Sequence, residues 1–269
     1  MADRGHATWL AGAAVVVLAA YAIITPLVHP IDEAITDFAA ADQGPGAGNW
    51  FGTDTSGRDL FTLVAMGMRV SLGISLATAV LSTIVGLLVG IAAGAFGGWW
   101  DRVGMRVADA MTAIPSLLLS LLIVTLFRGS LIAIVVSLVL THWTATARVV
   151  RAELLSSRNA EYVEVARLRG LPGVKIARIH FLPVAAGQAG VAAVLLVAHA
   201  VWHESTLSFL GVGLPPHQAS LGTLLAESGE ALLLGHWWRL VFPAGAIVAV
   251  TLALSALGRS LTRRPEVIA

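Results

Sequence analysis

The chain has 269 residues, 57% of them apolar and 12% charged, with a mean hydropathy of +0.83 and a formal charge of +1. That composition excludes a water-soluble domain and places the chain among polytopic membrane proteins; such a length accommodates about six spans of roughly 20 residues with their loops. Without cysteine, it offers no disulfide, thiolate metal site or cysteine nucleophile.

In chain order, the first apolar run covers residues 9–29, preceded by Arg4 and followed by Asp32, Glu33, Asp37 and Asp42. At about twenty residues it exceeds the apolar core of a signal peptide and reads as a span. Residues 1–29 are thus a tail and first span, residues 30–68 a polar external loop punctuated by Gly44-Pro45-Gly46, and residues 69–269 the core membrane domain. Within the core, a second span is expected over about 70–96, and Gly97-Gly98-Trp99-Trp100-Asp101-Arg102 turns the chain. A third follows over about 107–127, broken by Pro115, and a fourth over about 130–146. Residues 147–183 form a basic polar insert. The fifth span, about 184–210, ends in Gly211-Val212-Gly213-Leu214-Pro215-Pro216; the sixth, about 238–257, is closed by Arg259, Arg263 and Arg264. The expected fold is all-α and polytopic, with about six transmembrane helices.

Cationic loops are retained in the cytoplasm. With six spans, Arg4, Arg102, Arg106, the insert's Arg148, Arg151, Arg158, Arg167, Arg169, Lys175 and Arg178, and Arg259, Arg263 and Arg264 fall on one face. Arg58, Arg69, Arg128 and Arg239 fall on the other. Both termini and the 147–183 insert are therefore expected inside. No internal repeat is evident, which weighs against an inverted-repeat secondary transporter.

The search for catalytic chemistry returns exclusions. A P-loop needs Gly-Lys-Ser/Thr to hold phosphates, and the lone lysine, Lys175, follows Val174. His203-Glu204 begins a His-Glu-x-x-His zinc motif, but position 207 is Leu. Gly-x-Ser-x-Gly is absent, so there is no serine hydrolase elbow. A membrane protein with a long basic insert and no chemistry of its own points to an energy source that binds the insert.

Within the insert, helical spacing sets Tyr162, Ala166 and Arg169 along one flank and Glu161, Val165 and Leu168 along another. Gly170 and Pro172-Gly173 supply the stop. The reading is a short amphipathic helix, a turn, and a second helix from about residue 174 entering the membrane at Pro183. Such a hairpin suits either lipid headgroups or a protein groove.

Glu164-Val165-Ala166, three residues, Gly170, and then Phe181-Leu182-Pro183 resemble the Glu-Ala-Ala loop of bacterial ATP-binding-cassette importer permeases, whose short helix sits in a groove of the ATPase subunit. Val165 and His180 depart from the usual Ala and Ile. Phe51-Gly52-Thr53-Asp54-Thr55-Ser56-Gly57-Arg58-Asp59 resembles the Gly-Thr-Asp-x-x-Gly-Arg-Asp segment of the dipeptide, oligopeptide and nickel group. Gly97-Gly98 with Asp101, Met105-Arg106, Asp109 and Ala113-Ile114-Pro115-Ser116 is similar to that group's turn into the third span. Ser208-Phe209-Leu210-Gly211-Val212-Gly213 with Pro215-Pro216 is similar to the exit of its fifth. Four matches in order cover most of the chain.

The resemblance implies a non-enzymatic translocation subunit of the bacterial inner membrane. Glu161, Glu164, Ala166, Gly170, Leu182 and Pro183 would couple to ATPase subunits. This chain would bind no cofactor, with ATP and Mg on the partners. The implied partners are a second homologous permease subunit in a heterodimer, two ATPase subunits, an extracytoplasmic solute-binding protein and the lipid bilayer, with no nucleic acid. In the external loop, Thr53, Asp54 and Gly57 suit an ordinary turn, while Arg58 with Asp54 and Asp59 suits a charged knot at the outer mouth.

His199, His203 and Glu204 are the ionisable residues of the fifth span, and such residues face a bundle interior or a water-filled path. His199 and His203, four apart, share a helix face and suit a borderline divalent cation; the alternative is hydrogen bonding to neighbouring helices. With His142-Trp143 ahead of the insert, the pattern is similar to the nickel-transporting second permease, although Glu204 also matches the peptide permeases. Nickel or a metal chelate is the favoured cargo and short peptides the alternative; an ion-coupled secondary transporter is a further alternative class.

Overall fold

The computed structural model describes residues 2–31, 36–127, 129–215 and 218–262, with side chains from residue 8 onward. Asp32, Glu33, Arg128, Pro216, Arg263, Arg264 and the side chain of Arg4 lie outside these described residues. Among the described residues ten α-helices follow in order: α1 (Ala2–Val28), α2 (Leu60–Ile91), α3 (Gly98–Ala113), α4 (Ser116–Leu126), α5 (Leu131–Ser157), α6 (Glu161–Leu168), α7 (Gly173–Ile176), α8 (Leu182–Phe209), α9 (Leu221–Leu233) and α10 (Trp238–Thr262). π-Helical turns, Ala92–Phe96 and Ala177–Phe181, extend α2 and join α7 to α8. The fold is all-α; extended pairing among the described residues is limited to a bridge between Thr53 and Asp59.

Among the described residues, five continuous helical stretches are long and apolar enough to cross a membrane: Thr8–Val28, Leu60–Phe96, Leu131–Ser157, Gly173–Phe209 and Trp238–Thr262. A sixth apolar stretch is a bent helix pair. α3 and α4 meet at 82° around the extended Ile114 and Pro115, so the third span is not one helix over 107–127. The residue before a proline is driven out of the α region, which makes the break local and sequence-encoded. α4 alone has 11 residues, about 16 Å of rise, short of the roughly 30 Å of hydrocarbon.

Other boundaries also move. The second span begins at Leu60, ten residues before the expected 70, because Asp59 caps it: its Oδ2 accepts from Thr62 N at 2.9 Å and Thr62 Oγ1 at 2.7 Å. The helix of the fourth span does not end near 146 but continues to Ser157, so the first eleven residues of the expected insert are helical and continuous with it. Pro183 lies in the first turn of α8, where a missing N–H is harmless.

α2 is the central mast. Its inward face carries buried Ser71, Ser75, Thr78, Ser82, Gly86 and Gly90, followed by Gly94 in the π turn. A Cβ built on Gly86 would lie 2.6 Å from Thr146 Cβ, on Gly90 2.7 Å from Val150 Cβ, and on Gly94 2.8 Å from Leu154 Cβ. Residues four apart on α2 therefore meet residues four apart on α5, and small side chains let the two backbones close. The same register buries Val150 and Leu154 with Val163, Ala166, Ile176 and Phe181 in a core beneath the loop. A second core, including Leu63, Val64, Met68, Val201, Leu221, Trp238 and Val250, joins α1, α2, α8, α9 and α10.

Candidate functional site

The loop helix α6 stands on this inner core by two side chains three apart. Val163 (0% exposed) and Ala166 (6%) face the bundle, while Glu161, Tyr162, Glu164, Val165, Arg167 and Leu168 face outward. This corrects the expected flanks: Ala166 does not share an outer face with Tyr162, and it seats the helix on the bundle. Tyr162, Val165 and Leu168 are 46%, 45% and 82% exposed, an apolar ridge edged by Glu161, Glu164 and Arg167.

The helix ends as its sequence demands. Gly170 has φ +74°, its N–H donates to Arg167 O at 2.8 Å, and Leu171 N–H donates to Ala166 O at 3.2 Å. This is the Schellman arrangement, in which a left-handed residue lets two successive N–H groups cap the last carbonyls. Leu182 is 39% exposed and Pro183 is exposed as well, at the foot of α8.

At the opposite end, Asp54 is buried and organises the 51–59 loop. Its Oδ1 accepts from Ser56 N and Arg58 N, both at 2.8 Å, and its Oδ2 accepts from Arg58 Nε at 2.7 Å. Thr53 Oγ1 donates to Ala40 O at 2.6 Å and accepts from Gln43 N at 2.8 Å. Gly57, at φ +77°, passes so close to the Asp37 carbonyl that a Cβ would overlap it. Asp59 is not part of the Arg58–Asp54 pair; its carboxylate caps α2. Trp238 Nε1 donates to Thr53 O at 3.2 Å, fastening the loop to α10.

The three residues expected along a pathway separate. Glu204 is fully buried: Ser71 Oγ donates to Oε2 at 2.6 Å and Ser208 Oγ to Oε1 at 2.8 Å, with Ser205 Oγ at 3.4 Å. Ser71 Oγ in turn accepts from Leu221 N at 3.2 Å. Glu204 therefore ties α2, α8 and the start of α9 together. Helix α9 was not anticipated; its signal is the Ser220–Thr223 capping box, with Thr223 in the place of the usual Glu or Gln.

His199 and His203 do come together, with ring centroids 4.6 Å apart, and His142 of α5 joins them at 5.1 and 4.8 Å. One nitrogen from each ring lies within 4.8 Å of those of the other two. His142 and His203 are buried, whereas His199 is exposed to a cavity of about 540 Å³ between the α3–α4 break, α5 and α8, which His142 also lines. Beyond the cavity, Arg151 forms a forked pair with Asp101, and Arg148 reaches Asp109 and Thr112 Oγ1, each at 3.0 Å. These arginines, from the first residues of the expected insert, bind α3 to α5.

Residues 86–266 match the family of binding-protein-dependent transport system inner membrane components. The chain is 36% identical to the oligopeptide transport system permease protein of Bacillus subtilis strain 168, covering 92% of this chain and 81% of that one. It is 35% identical to the same organism's dipeptide transport system permease protein, over 89% and 75%. With the glutathione transport system permease protein of Escherichia coli O1:K1 / APEC it shares 31%, over 96% and 85%. Such relatives are permeases and not enzymes, and their named cargoes put peptides ahead of the nickel expectation. With its all-α, multi-pass architecture, the chain belongs to the binding-protein-dependent transport system inner membrane components, as a permease of the peptide type of ATP-binding-cassette importer.

Proposed function

We propose that this chain forms half of the translocation pathway for short peptides, facing a second homologous permease, and that α6 seats in a groove of a separate ATPase subunit. The observation that carries the coupling role is the outward ridge of Tyr162, Val165 and Leu168 on a helix anchored by Val163 and Ala166. Exposed apolar side chains bracketed by charge, on a rigidly seated helix in a basic loop, suit a protein groove. Peptide as cargo follows from the oligopeptide, dipeptide and glutathione permeases to which the chain is similar.

In this reading the 158–181 loop and both termini are cytoplasmic, and an external binding protein delivers peptide to the opposite end, where Asp54 and Arg58 shape the mouth. ATP and Mg act on the ATPase subunits. Their closure moves α6, and the foot of α8, continuous with the loop through Ala177–Phe181, carries the displacement into the bundle. Nucleotide shifts the populations of inward- and outward-facing states only as far as α6 is held differently in each.

The test is reconstitution with the partner permease, ATPase subunits and binding protein. Val165→Asp with Leu168→Asp is expected to abolish co-purification of the ATPase subunits and to lower peptide-stimulated ATP hydrolysis at least tenfold, with the melting temperature unchanged. Full uptake by that double variant would overturn the coupling role. Failure of the intact complex to accumulate any di- or tripeptide would overturn the cargo.

A further inference from the structure

The three histidines call for an explanation that peptide passage alone does not provide. His142 Nδ1 lies 2.7 Å from Leu138 O and 2.8 Å from Thr141 Oγ1. A carbonyl can only accept, so Nδ1 carries the proton and Nε2 is left with a free lone pair. That Nε2 is buried and has no hydrogen-bond partner among the described residues, and the same holds for Nδ1 of His203. Unpaired buried polar atoms are costly, yet here two belong to neighbouring rings with centroids 4.8 Å apart, and His199 faces the cavity next to them. An imidazole whose second nitrogen donates to a backbone carbonyl is fixed in the tautomer and orientation of a metal ligand.

We propose that His142, His199 and His203 form a transit site for a borderline divalent cation such as Ni²⁺, Co²⁺ or Zn²⁺, reaching the cavity free or as a short-peptide chelate. The inference rests on the importer reading and adds a cargo class to it. Imidazole donors suit these ions, whereas Mg²⁺ and Ca²⁺ need oxygen ligands. The carboxylate beside His203 in the chain, Glu204, is engaged by Ser71 and Ser208.

Ligands at about 2.1 Å from a tetrahedral ion stand roughly 3.4 Å apart. The nitrogens lie within 4.8 Å of one another, so binding draws the three rings together, and His199, exposed to the cavity, has the most room to turn. Three neutral ligands leave one position of a tetrahedral ion open for water, and expansion to five or six coordination admits the amine and carboxylate of a peptide. They supply no negative charge to trap the ion. A pathway site must bind well enough to be entered and weakly enough to be left.

The test uses the whole complex in lipid nanodiscs and proteoliposomes. Titration with Co²⁺ alone is expected to give visible ligand-field absorption at one equivalent per chain. The affinity should drop at least tenfold in His142→Gln and in His203→Gln, with melting temperature and peptide-stimulated ATP hydrolysis retained as the check on folding.

Uptake is then compared for radiolabelled Ni²⁺ alone, Ni²⁺ with excess glycylglycine, and labelled glycylglycine with a chelator. Loss of at least fivefold in one nickel arm of the His142→Gln, His199→Gln, His203→Gln triple variant, with metal-free peptide uptake within twofold, supports the site; the arm that falls identifies the form carried. No absorption in the wild type, absorption unchanged in the triple variant, or nickel uptake indifferent to it overturns the inference while leaving peptide transport standing. Absence of peptide uptake in the wild type would instead strike the importer reading.

Discussion

Asp54 shows how one side chain sets the shape of the outer loop. Its carboxylate receives two backbone N–H groups and the Arg58 guanidinium while only 3% exposed. Asp54→Ala leaves those donors and the cation facing a small cavity, at a cost of about 1–3 kcal/mol. A lower melting temperature and faster proteolysis confined to residues 36–59 are the expected results, checked by limited proteolysis with mass spectrometry. Thr53, Gly57 and Arg58 could be read as turn residues from their types alone. The role of Asp59 was misassigned because Asp59 adjoins Arg58 in sequence, whereas its side chain turns onto Thr62 and caps α2.

At the level of elements, contact between α2 and α5 depends on residues without side-chain bulk. Gly90→Leu would force atoms into Val150 and Ala147 O and is expected to lower stability by about 1–3 kcal/mol or more, with little complex recovered after extraction. Gly187→Ala, where a Cβ meets nothing within 4 Å, is the matched control and should melt like the wild type. Thermal unfolding of both in one detergent decides the point. The Gly86, Gly90, Gly94 spacing is legible in the chain, but not its partner. Six helices offer many faces, and only packing shows that Thr146, Val150 and Leu154 fill this one.

Across the whole molecule, the pairs Arg151–Asp101 and Arg148–Asp109 hold the tilted α3 against α5, next to the cavity and one helix away from the loop core. Both pairs are partly exposed, so each is worth only about 0.2–1 kcal/mol. Arg151→Ala is therefore expected to leave the fold intact but to loosen α3. Hydrogen exchange should quicken over 98–113 and stay slow over 60–91; equal rates in both segments would show that α3 needs no such anchor.

What the chain determined by itself was whatever short-range stereochemistry controls. Long apolar runs set the polytopic class, Pro115 broke the third crossing, and Gly170 ended α6 in a left-handed residue because both signals act within a turn or two of backbone. What only the tertiary structure decided was which distant polar groups meet. Ser71 reaches Glu204 across 133 residues and ties α2 to α8, while the crossing of α5 and α8 brings His142 to His199 and His203. Periodicity fixes which face of a helix a residue occupies; which other helix that face meets is set by the packing of the entire bundle.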